Sequence, residues 1–133
     1  MTPDTSVLVA AFSSWHPAHS ASRAAVSSVR DLIAHVELET YSVLTRLPAP
    51  HRAPFAVAAD YLARQFAGDR LALGRAARSS LIARLASLAI EGGRAYDGLI
   101  ALTAAEHERT LLTRDRRSMA TYERVGTRFE LVG

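Results

Sequence analysis

Thr110-Leu111-Leu112-Thr113-Arg114-Asp115-Arg116-Arg117 runs from an apolar stretch, through an acid, into a charged segment. Residues 110–113 predict a short strand and residues 116–124 a short helix. Asp115 stands at their junction, where a carboxylate can cap the helix. In a parallel sheet such junctions gather at the carboxyl edge, where open α/β folds place their sites. Three further acids occupy comparable boundaries along the chain: Asp4, Glu39 and Asp97.

Outward from that stretch, strand and helix patterns alternate. Residues 5–12 open on a β-branched run and read as a strand feeding a turn. Pro17 marks a helix start, and a small-residue helix runs towards Ser28. Residues 32–36 predict a second strand, and residues 37–47 a helix with an apolar stripe of Leu38, Tyr41, Leu44 and Leu47. Pro48, Pro50 and Pro54 interrupt the pattern before a helix over 54–67, striped by Phe55, Ala59, Leu62 and Phe66. A weak strand around Leu71 and Leu73 precedes a helix marked by Leu81, Leu85 and Leu88 and closed by Gly92-Gly93. The helix over 95–107 is expected to bury Leu99, Leu102 and Thr103, and residues 128–132 form a last strand. Alternation of this kind favours a parallel sheet covered on both faces.

Length and composition fit one globular domain spanning 1–133, with 49% hydrophobic and 22% charged residues. There is no cysteine, which excludes disulfides, thiolate nucleophiles and Cys-ligated zinc. All 16 basic residues are arginine. Without lysine, a P-loop, a Schiff-base enzyme and a kinase are excluded. No Gly-x-Ser-x-Gly elbow supports serine hydrolysis. No apolar run is long enough to span a bilayer, so no membrane partner and a cytoplasmic location are the expectations. The formal net charge of +3 permits a polyanionic partner.

Each acid has a structural explanation by itself. Asp4 suits a turn or cap, Asp97 the first turn of a helix, and Asp115 an N-cap. Glu37 and Glu39 lie two positions apart on one helix, about 200° around its axis, so only one can join a cluster. Acids at four matching junctions favour a common task, the seating of a divalent cation.

The chain resembles PIN-domain ribonucleases, and more narrowly the VapC-type toxins of toxin–antitoxin pairs. The likeness rests on four stretches: Asp4-Thr5-Ser6-Val7-Leu8-Val9, residues 39–46 from Glu39, residues 96–104 around Asp97, and Leu111 to Arg117. Residues 121–126 are similar to the family's closing segment. The resemblance implies a three-layer α/β/α fold with a mostly parallel sheet of four to five strands. It implies Asp4, Glu39, Asp97 and Asp115 as catalytic ligands of Mg2+ or Mn2+, and it selects Glu39 over Glu37 because Ser42 follows three residues later. Thr5, Ser6 and Thr113 match polar positions beside the site. The implied reaction is RNA hydrolysis leaving a 5′-phosphate and a 3′-hydroxyl. The implied partners are a VapB-type antitoxin and a second copy of the chain; the apolar stripes of residues 37–47 and 54–67 either offer the surface or build the core.

Two positions depart from the family. Pro3 stands just before the first acid, so either the strand starts at the acid's edge or the true start lies upstream. Ser118 stands where many relatives carry an acid or amide, which predicts a weak second metal position. Arg46, Arg114, Arg116 and Arg117 are candidates for the RNA backbone, against ordinary solvated charge. His16 and His19 are spaced to share a metal or to line an RNA entrance. His35, His51 and His107 read as structural or surface residues, and Trp15 as a core or groove anchor rather than a base-stacking platform. The competing functions are a PIN-fold module that binds RNA without cutting it, and a receiver-like signalling domain, which relies on a lysine this chain lacks.

Overall fold

In the computed structural model, which describes residues 1–133, Leu111–Thr113 is buried throughout and is paired in parallel on both sides. The elements in chain order are β1 (Thr2–Pro3), α1 (Thr5–Phe12), α2 (His19–Ala25), β2 (Leu32–Ile33), α3 (Ala34–Arg46), α4 (Phe55–Gln65) and β3 (Arg70–Leu71). There follow α5 (Arg75–Ser79), α6 (Leu81–Ser87), α7 (Arg94–Glu106), β4 (Leu111–Thr113), α8 (Arg116–Val125) and β5 (Phe129–Leu131). One ladder runs β1-β4-β5, with Pro3 opposite Leu112 and Leu112 opposite Glu130. The other pairs β2 with β3, Ile33 opposite Leu71, and every pairing is parallel.

Pro3 accounts for the division into two ladders. The amides of Thr2 and Asp4 donate to Thr110 and Leu112, so the intervening position faces β2. A proline there has no N–H to give. The Thr2 hydroxyl makes the link instead, donating to the Asp31 carbonyl at 3.3 Å. Helices cover this divided sheet in three α/β/α layers. Helix α1 packs on β4 and against α2 and α3, while α7 packs against β2, α6 and α8. The main core joins Val7 and Leu8 of α1 to Ile100 and Ala101 of α7 across Leu32, Ile33 and Leu111.

Several expectations need correction. Residues 5–12 are a helix, not a strand: the Asp4 carboxylate accepts the Val7 amide and caps it, and burial of Val7, Leu8, Ala10 and Ala11 overrides β propensity. The second strand stops at Ile33, and α3 begins at once. The buried face of α3 is Val36, Thr40 and Leu44, whereas Leu38 is 65% exposed. On α4, Ala58 and Leu62 are buried while Phe55 and Ala59 are exposed. Gly92-Gly93 does not close α6; Leu88 is its C-cap, Ala89 takes the left-handed turn, and Gly93 caps α7. Helix α7 buries Ile100, Ala101 and Ala104 beside Thr103, leaving Leu99 and Leu102 half-buried.

Candidate active site

Each acid is carried by a different element. Asp4 ends β1 and caps α1, Glu39 lies on α3, Asp97 in the first turn of α7, and Asp115 caps α8. All four line one cavity of about 460 Å³. Glu37, on the other side of α3, pairs instead with Arg70.

Asp4 is only 3% exposed and the most elaborately held. Its Oδ1 accepts the Ser6 hydroxyl and the Val7 amide, and its Oδ2 accepts the Tyr122 phenol at 2.9 Å. Burial pushes its carboxyl up, while the hydroxyls of Ser6, Thr113 and Tyr122 and the Val7 amide pull it back. The same contact, added to burial, holds the Tyr122 phenol well above its ordinary range. Ser6 also ties α1 to the β4–α8 junction, because its oxygen accepts the Arg114 amide at 2.8 Å. The Thr113 hydroxyl accepts the Asp115 amide at 3.1 Å.

Asp97 accepts the Ser118 hydroxyl at 3.1 Å. Burial raises its carboxyl most; Ser118 opposes that, and the negative charges of Glu39, Asp115 and Asp4 raise it further. Asp115 accepts its capping bond from the Arg117 amide at 2.9 Å, with the Arg117 guanidinium 3.4 Å away. His35 Nε2 stands 3.4 Å from Glu39 Oε2, without the geometry of a hydrogen bond.

The fit to a divalent cation rests on donor chemistry. Held by these partners, no three of the acids close into a ready-made ligand cluster. Both oxygens of Glu39 and one each of Asp97 and Asp115 nevertheless take no protein hydrogen bond. The Thr5 hydroxyl on the cavity wall is buried without a partner. An all-oxygen, carboxylate-rich set with spare lone pairs suits a hard cation that keeps part of its water shell.

The arginines divide. Arg114 and Arg117 line the cavity. Arg116 is exposed outside it, and Arg46 lines a neighbouring groove shared with Glu39, donating to the Ser42 hydroxyl at 2.9 Å. His16 reaches the cavity, whereas His19 turns to the Ala10 carbonyl at 3.0 Å, so the two do not form a metal pair. Trp15 is no core anchor: it is 45% exposed and packs against His51. Tyr122 and Ser118 escaped assignment as positioning residues. Their signal was helical: Asp115, Ser118 and Tyr122 follow at three and four residues, which places them along one face of α8.

The family model described as PIN domain matches residues 1–125. The chain is 49% identical over 133 residues to Ribonuclease VapC40 of Mycobacterium tuberculosis, covering 99% of this chain and 98% of that protein. It is 43% identical over 124 residues to Ribonuclease VapC27 of Mycobacterium tuberculosis, covering 92% and 90%. Its fold is similar to a crystal structure of FitAcB from Neisseria gonorrhoeae, at TM-score 0.68 and 21% identity over 96% of this chain and 94% of that one. A structure of FitAB bound to an IR36 DNA fragment matches at TM-score 0.70 and 20% identity, over 98% and 93%.

Proposed function

The chain belongs to the PIN-domain family, and we propose that it is a metal-dependent endoribonuclease, the toxin of a toxin–antitoxin pair. The observation that carries this reading is the convergence of acids from four elements on one cavity that Arg114 and Arg117 also line. The relatives that share nearly half of its residues over almost its whole length are named ribonucleases. Asp4, Glu39, Asp97 and Asp115 would hold Mg2+ or Mn2+, which supplies charge neutralisation at the phosphoryl group and an activated water.

The chain's own residues set up that chemistry. Ser6, Thr113 and Tyr122 fix the rotamer of Asp4 and oppose the rise that burial imposes on its carboxyl. Ser118 does the same for Asp97. Arg114 and Arg117 offer planar guanidinium donors to the backbone of the RNA strand. Attack by water, with the P–O3′ bond breaking and the 3′-oxygen leaving, gives a 5′-phosphate and a 3′-hydroxyl.

The inhibitor in this reading is a VapB-type antitoxin, and the chain pairs with a second copy of itself. An apolar groove of about 430 Å³, walled by Leu38, Leu71, Leu73, Leu81 and Leu99 and sharing His35 and Leu38 with the groove that Glu39 lines, supports a protein partner. Exposed Phe55 and Val57 on α4 supply further apolar surface. An antitoxin arginine or lysine seated among the acids would replace the cation electrostatically.

End-labelled RNA incubated with antitoxin-free protein tests the reaction. Cleavage should need Mg2+ or Mn2+, stop with chelator, and disappear in Asp97→Asn. Intact RNA with folded protein and either ion would leave a module that binds without cutting.

A further inference from the structure

Trp15 is the only tryptophan of the chain and is left 45% exposed, outside both core clusters. The His51 ring packs on it, with centroids 4.1 Å apart and planes inclined by 31°. The His16 ring lies 5.7 Å away, and His16 is part of the wall of the acid cavity. Both loops are tied down. The His16 amide donates to the Ser13 carbonyl, the Ala18 amide donates to His16 Nδ1, and the His51 amide donates to the Pro48 carbonyl. A large aromatic surface is therefore left open one residue before His16, which lines the acid cavity.

We propose that Trp15, braced by His51, is a stacking platform for one nucleobase of the RNA strand, so that the site takes an unpaired nucleotide beside the bond it cuts. This rests on the ribonuclease reading and assigns the residue that receives the base. A base in a duplex has both faces occupied by its neighbours, whereas an unpaired base can be splayed onto an aromatic ring. Stacking tolerates any base, so the platform confers preference for strand state rather than for sequence. Arginines at the cavity hold the phosphate, and the indole holds the adjoining base.

Emission from the sole tryptophan reports the contact directly. In chelator, an unpaired oligoribonucleotide should quench Trp15 on binding. An abasic strand of equal length and a blunt-ended duplex should not. With Mg2+ or Mn2+, Trp15→Ala should raise KM about tenfold with little change in kcat, and Trp15→Phe should restore most of the loss. Binding seen by anisotropy without any change in emission overturns the platform, as does an unaltered KM in Trp15→Ala. Quenching without cleavage in either ion keeps the platform and sinks hydrolysis. Cleavage with unmoved emission does the reverse, and absence of binding overturns both.

Discussion

Asp4 and Asp97 illustrate how one side chain can serve reaction and fold with opposite consequences. Burial holds both carboxyls above the usual carboxylate range. A folded-state pKa above the unfolded one means the folded protein binds the proton better, so stability falls as pH rises through that interval. Above the folded-state pKa the cost is fully present. Asp97→Asn should therefore raise the Tm of the metal-free protein by roughly 2–5 °C, while cleavage falls on the order of 10³-fold. Calorimetry and a cleavage assay at pH 7 check the pair. A variant less stable than its parent would mean the charge is not strained. Asp4→Asn should keep α1 capped, since asparagine caps as well as aspartate. Tyr122→Phe removes a hydroxyl that lowers the Asp4 pKa. Activity should drop about tenfold, and the acid limb of its pH profile should move to higher pH. An unmoved limb would deny Tyr122 its positioning role.

Between elements, close approach of loop and strand decides the register. A Cβ at Gly68 would collide with the Asp31 carboxylate and stand 2.8 Å from the Arg30 carbonyl oxygen. Asp31 in turn accepts the Asp69 amide at 2.7 Å and Arg109 at 2.9 Å, joining β2, β3 and the lead-in to β4. Gly68→Ala should cost about 1–3 kcal/mol, read as a lower denaturant midpoint. The same scale explains what was legible in the sequence. Junction acids could be found because capping and dipole preferences put carboxylates at helix starts whatever their further use. Element type failed at residues 5–12, where β-branched residues sit in a helix buried by its neighbours. Element faces failed on α3 and α4, because Leu38 and Phe55 are apolar yet outward, and no periodicity distinguishes a core residue from an exposed apolar one. Tyr122 was hidden because its partner Asp4 is 118 residues away.

For the molecule as a whole, charge sets the coupling to ligands. Divalent cation should raise the Tm at pH 8 by mass action. The increment should shrink towards pH 5 as the raised carboxyls of Asp4 and Asp97 take up protons in competition. An increment independent of pH would place the ion elsewhere. Arg117 lines the cavity and Arg116 does not, so Arg117→Ala should flatten the salt dependence of RNA binding by about one unit of slope, and Arg116→Ala should leave it nearly unchanged. Equal effects would mean a diffuse field rather than a contact. The bond between Tyr122 and Asp4 has a further consequence for synthesis on the ribosome. The amino-terminal acid is translated early, but β1 pairs only with β4, and its phenol arrives later still on α8. The acid cavity thus closes around Asp4 only once almost the entire polypeptide has emerged.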